Sequence, residues 1–129
     1  MNKLLFFVVL LIIYGSLYPF KFSGQIPDLA TTWRLLTEYN LHTTSTDITA
    51  NIILFIPLGF VIRLASNQYH SRVKAILTML VLAAVLAFLL QYFQFFIPAR
   101  VPDAGDAVYN IVGAIIGLVF SHLSTVLAE

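Results

Sequence analysis

"ARVPDAGDAVYNIVGAIIG" (residues 99–117) decides how this chain is read. From position 107 onward it is apolar, with Gly113 and Gly117 at the spacing of a helix that packs closely in lipid. Its approach carries Arg100, Asp103 and Asp106, and Asn110 follows one turn further in. Polar groups near hydrocarbon are expensive, so each needs a structural reason or a function.

Composition names the solvent. The chain has 129 residues, 60% of them hydrophobic and only 10% charged, with a mean hydropathy of +0.91. A soluble domain of this size has no core large enough for so much apolar surface. A net charge of +1 from seven scattered cations gives no basic face for nucleic acid. The absence of cysteine excludes disulfides and thiolate metal sites, and no cofactor motif is present.

Charge-free runs at residues 4–20, 48–62, 75–99 and 107–128 give the spans. A spanning helix needs roughly 20 apolar residues. The second run contains Pro57 and is short, but it spans if Asp47 sits at one interface and Arg63 snorkels to the other. The expected fold is an all-α, four-transmembrane-helix bundle in one domain, with helices at about 4–20, 47–64, 75–97 and 106–127. The first run also fits a signal peptide. Its length and the lack of an A-x-A-like site favour a retained helix.

Lys3, Arg63, Arg72 and Lys74 fall on one side of the membrane and Lys21, Arg34 and Arg100 on the other. Four cations against three place both termini in the cytoplasm. Within the long first outer loop, "DLATTWRLLTEY" (28–39) sets Leu29, Trp33 and Leu36 at i, i+4, i+7. That spacing fits a short helix lying in the membrane interface, and a plain loop anchored by Trp33 is the alternative.

The polar residues inside the spans converge on one depth. Asp47 and Asn51 are one turn apart on the second helix, and Asp106 and Asn110 repeat the spacing on the fourth. Gln91 and Gln94 bring the third helix to the same surface, and Arg100 lies in the loop between. These seven are the candidate binding residues. Asp47, Asp106 and Arg100 are also the catalytic candidates, the aspartates as general base and the arginine for developing negative charge.

A structural account competes with this one. Asp103, Asp106 and Asp47 suit helix N-termini, and membrane Asn and Gln often only bond across helices. Caps alone do not explain Gln91, Gln94 and Arg100 at one depth, whereas Asp103 reads as a helix cap. Gly113, Gly117 and Ser121 form a small-residue stripe for helix packing, against another helix of the chain or a second copy in a homo-oligomer. His42 with Asp47 has no diagnostic metal spacing.

"NIILFIPLGF" (51–60) and "LLQYFQFFIPARVPDAGDAVYNIVGAIIG" (89–117) together resemble the VanZ-like family of small bacterial membrane proteins. The matched positions are Asn51, Pro57, Gly59, Gln94, Arg100, Asp106, Asn110, Gly113 and Gly117. Family members commonly carry Glu where this chain has Gln91, which removes a proton donor or acceptor. The resemblance implies a multi-pass protein of the bacterial cytoplasmic (inner) membrane acting at the cell envelope. The family takes its name from a member associated with resistance to the glycopeptide antibiotic teicoplanin.

Two function classes follow. One is a binding or protection module whose outer polar pocket takes a membrane lipid headgroup, glycolipid or lipid-linked envelope precursor. The other is a small intramembrane enzyme acting on a lipid-linked substrate. An oligomeric channel ranks third, because the inner half offers no polar path.

Overall fold

The computed structural model describes residues 2–23, 26–37, 45–98 and 103–128. Every regular element among them is helical: α1 (Asn2–Leu17), α2 (Leu29–Thr37), α3 (Ser45–Ala65), α4 (Arg72–Gln94) and α5 (Ala104–Ala128), with a 3-10 turn at Ser66–Gln68 after α3. Three segments are long and apolar enough to cross a membrane: Ser45–Gln68, Arg72–Gln94 and Ala104–Ala128. α1 is apolar too, but its 16 residues extend only about 24 Å, against a hydrocarbon core of roughly 30 Å. It stops at Leu17 instead of position 20 because Pro19 has no N–H and disfavours helical backbone at Tyr18.

The other boundaries also have local causes. α4 starts three residues before the expected position 75, where the Ser71 hydroxyl accepts the Lys74 N–H at 3.4 Å. It ends at Gln94, ahead of Pro98. Pro57 lies inside α3, and the helix runs through it at the expense of one amide donor.

α3 is the centre of the bundle. Its Phe55, Leu58 and Ile62 bury against Val8 and Ile12 of α1, Ala83, Ala87 and Leu90 of α4, and Ala107 and Ala114 of α5. The outer surface stays apolar, with Leu77, Val81, Leu82, Phe120 and Leu127 all exposed. That is the surface of a protein whose solvent is lipid.

The closest approach is between α3 and α5. A Cβ added at Gly113 would run into the backbone carbonyl of Ile52, one at Gly117 into that of Ile56, and one at Gly59 into that of Ala114. These glycines let two backbones meet, which in lipid brings helices together without a hydrophobic driving force. The facing pairs advance by four on both helices, so α3 and α5 run parallel. α1 runs antiparallel to α3, with Gly15 beside Leu54, and parallel to α4, with Ser16 bonded to Gln94.

One end of the bundle therefore collects the end of α1, the start of α3, the end of α4 and the start of α5. It holds Asp47, Asp103 and Asp106 and is called the acidic end. The other, basic end holds Lys3, Arg63, Arg72 and Lys74. Aromatic rings crowd the acidic end: Tyr14 lies 5.8 Å from Tyr18 and 5.5 Å from Phe20, and Tyr92 lies 5.8 Å from Phe96. Such a belt marks a membrane–water interface.

The segment expected to be an interfacial helix or a loop is a helix. Asp28 caps α2, its carboxylate accepting the Thr31 N–H at 2.7 Å. The Thr31 side chain and backbone hydrogen bonds hold the Asp28 carboxyl below the ordinary carboxylate range. Leu29 and Trp33 are largely exposed, and α2 touches α4 and α5.

Candidate functional site

The acidic end is assembled by two glutamines of α4. Gln91 is 1% exposed and accepts the backbone N–H of Asp103 through Oε1 at 3.1 Å. Gln94 is 8% exposed and donates from Nε2 to the backbone carbonyl of Ser16 at 2.9 Å. One amide fixes the head of α5 and the other fixes the tail of α1. Three helices are thereby registered at one depth, and buried backbone groups that water cannot reach are satisfied.

Asp103 starts α5. Its Oδ1 accepts the Gly105 N–H at 3.1 Å and its carbonyl accepts the Asp106 N–H at 3.0 Å. This is the capping role read from the sequence, performed by a residue that is itself buried. The Cβ position of Gly105 lies 3.4 Å from the Asp103 carboxylate, an ordinary van der Waals contact.

Asp106 lies within electrostatic reach of both Asp103 and Asp47, at the heads of α5 and α3. Asn51 folds back along its own helix, donating from Nδ2 to the Asp47 carbonyl at 2.9 Å. Two acceptors at this end stand apart. Asp106 Oδ1 and Asn110 Oδ1 are buried and have no hydrogen-bond partner among the described residues. Asn110 is 1% exposed. Arg100 and His42 lie outside the described residues.

Among the expected site residues, then, Gln91, Gln94 and Asp106 share the end of the bundle formed by α1, α4 and α5. Asp47 reaches Asp106 electrostatically from α3, and Asn110 follows Asp106 one turn deeper. Gly113 and Gly117 face α3 of the same chain, and Ser121 is fully buried below them with its hydroxyl unbonded. The choice the sequence left between a neighbouring helix and a second copy is answered for this stripe by α3.

Arg63 is 7% exposed, and its Nη1 donates at 2.7 Å to Oδ1 of the exposed Asn67, one turn nearer the basic end, the direction in which the sequence expected this side chain to reach. The fully buried Ser66 hydroxyl donates to the Arg63 carbonyl at 2.7 Å. The basic half therefore has buried polar groups of its own, Arg63 and Ser66. Arg63 and Asn67 are four residues apart, and that i,i+4 spacing was the available signal. Among the described residues no group of three or more His, Cys, Asp or Glu is placed to hold a metal ion.

The acidic end can accept hydrogen bonds through Asp106 and Asn110, and two long helices begin there. Helix N-termini carry partial positive charge, worth roughly 0.3–1 kcal/mol to a nearby anion. No curated protein and no solved structure matches the chain. The family described as VanZ/LLP1 matches residues 3–125. The match runs from the start of α1 to the last turns of α5 and takes in both sequence blocks and all of the acidic end. The chain belongs to the VanZ/LLP1 family.

Proposed function

We propose that this protein sits in the bacterial cytoplasmic membrane with its acidic end toward the envelope. There it binds a hydroxyl-bearing or anionic headgroup of an envelope lipid or glycolipid, and protection against glycopeptide antibiotics is the cellular readout. In this reading α1 is a fourth span, lengthened by the aromatic segment after Leu17, and both termini are cytoplasmic.

The observation that carries the reading is the pair of buried, unbonded acceptors on Asp106 and Asn110. An unsatisfied buried polar group costs about 1–3 kcal/mol, and the neighbouring Gln91, Gln94 and Asp103 are all bonded. Hydroxyl donors of a sugar or glycerol headgroup would complete these two acceptors. Arg100, in the loop directly before α5, supplies a fork suited to phosphate. Asp47 and Asn51 complete the mouth on α3, while Gln91 and Gln94 hold its frame.

A second reading rests on Asp106. An unbonded carboxylate oxygen beside Asp47 suits a general base of an intramembrane enzyme acting on a lipid-linked substrate. Asp106→Asn separates the two, because it keeps an acceptor and removes the base. Binding should weaken a few-fold, whereas general-base catalysis should fall by roughly 10²–10⁴.

The test is glycopeptide susceptibility of a sensitive bacterium expressing wild type, Arg100→Ala or Asp106→Asn at matched membrane levels. Protection by wild type that Arg100→Ala abolishes supports the pocket. Equal protection by all three chains sinks it.

A further inference from the structure

Toward the basic end, an open cleft of about 280 Å³ lies between Leu5 and Val9 of α1, Leu58 and Ile62 of α3, and Leu82 and Leu86 of α4.

The lining is apolar, and its α3 and α4 residues lie in segments long and apolar enough to cross a membrane. Water has no hydrogen-bond partners there, so a hydrocarbon chain from the surrounding bilayer is the occupant that fits. Charge completes the description. Exposed Lys3, Arg72 and Lys74 stand at this end with buried Arg63, and no Asp or Glu occurs there among the described residues. Basic groups beside a cleft between spanning helices suit an anionic headgroup.

We propose that this cleft holds one acyl chain of an anionic phospholipid, with its phosphate at the rim formed by Lys3, Arg72 and Lys74. The site is independent of the acidic-end pocket. It shares no residue with it and lies at the other end of the same bundle. The lysine stems are long enough to lie along the chain while their ammonium groups meet the phosphate.

The test is native mass spectrometry of the purified full chain in non-ionic detergent, titrated with phosphatidylglycerol or phosphatidylcholine of identical acyl chains. Wild type should take one phosphatidylglycerol in preference to phosphatidylcholine. Lys3→Gln with Lys74→Gln should weaken phosphatidylglycerol binding about 30-fold, the effect of two surface cations.

Leu82→Trp should close the mouth and weaken binding of both lipids, and Met79→Trp, on the same lining, gives an independent second closure. Val81→Trp, next to Leu82 but outside the lining and equally exposed, should bind as wild type does. Equal affinity for the two lipids overturns the proposal. So does phosphatidylglycerol binding that both mouth-closing variants leave intact, which would mean adsorption to a basic surface.

Discussion

Gln91 of α4 and Asp103 at the head of α5 are joined by a hydrogen bond of 3.1 Å between the side-chain oxygen of one and the backbone N–H of the other. Both residues are buried. The bond closes the connection between two spanning helices and sets where α5 begins, which in turn sets the depth of Asp106 and Asn110.

Replacing Gln91 with Leu keeps the volume and strands the Asp103 N–H. The expected loss is about 1–3 kcal/mol, the cost of a buried donor left unmade. Gln91→Glu should keep the fold, since a carboxylate oxygen accepts the same N–H. That is the residue the VanZ-like pattern commonly carries here. Unfolding of both variants in mixed micelles checks this. Equal destabilisation by Leu and Glu would mean that the hydrogen bond is not what position 91 contributes.

The α3–α5 contact makes a sharper claim. At Gly113 and Gly117 even one methyl group would meet a backbone carbonyl that cannot swing away. Gly113→Ala and Gly117→Ala should each cost about 1–3 kcal/mol through overpacking. Gly15→Ala is the control, because its Cβ would meet only the Leu54 side chain at 3.4 Å. Thermal unfolding in detergent should separate the first two from the third. Three equal values would contradict the packing.

The lone Trp33 reports on α2. It is 66% exposed from the protein, so in bilayers its emission should be shifted to the blue and quenched by lipids brominated near the headgroup. Wild-type emission in lipid matching that in water would remove α2 from the interface.

The same probe tests the cap. Folding lowers the pKa of Asp28, so its contribution is present above the unfolded carboxylate range and is lost as pH falls through the lowered value. Trp33 emission should respond to acid in that window. Asp28→Asn caps without a titrating group and should abolish the response.

Much of this architecture was legible in the residues. Hydropathy marked α3, α4 and α5 because a lipid-facing helix cannot disguise its apolar length. The i, i+4, i+7 spacing of Leu29, Trp33 and Leu36 marked α2. That the polar residues gather at one end of their helices was legible as well, since it follows from helical rise alone. Their partners were not. Position along a helix does not tell Gln91 bonded to a backbone N–H twelve residues away from Gln91 facing a ligand. Nor does it tell Gln94 on the carbonyl of Ser16 from Gln94 in a pocket. The partner of Arg63 was hidden for the same reason: its charge argued for an interface, and its hydrogen bond to the exposed Asn67 one turn on was not read.

Everything functional in this account depends on the acidic end facing the envelope side of the membrane. The chain has no cysteine, so single substitutions give unambiguous labelling sites. The decisive measurement is reaction of Asp47→Cys, Asp106→Cys and Lys74→Cys with a membrane-impermeant maleimide applied to intact cells and again after permeabilisation. The account predicts that Asp47→Cys reacts in intact cells, that Asp106→Cys reacts more slowly from the same side, and that Lys74→Cys reacts only after permeabilisation. Labelling of Lys74→Cys in intact cells, with Asp47→Cys silent until permeabilisation, would turn the pocket toward the cytoplasm and contradict an envelope ligand.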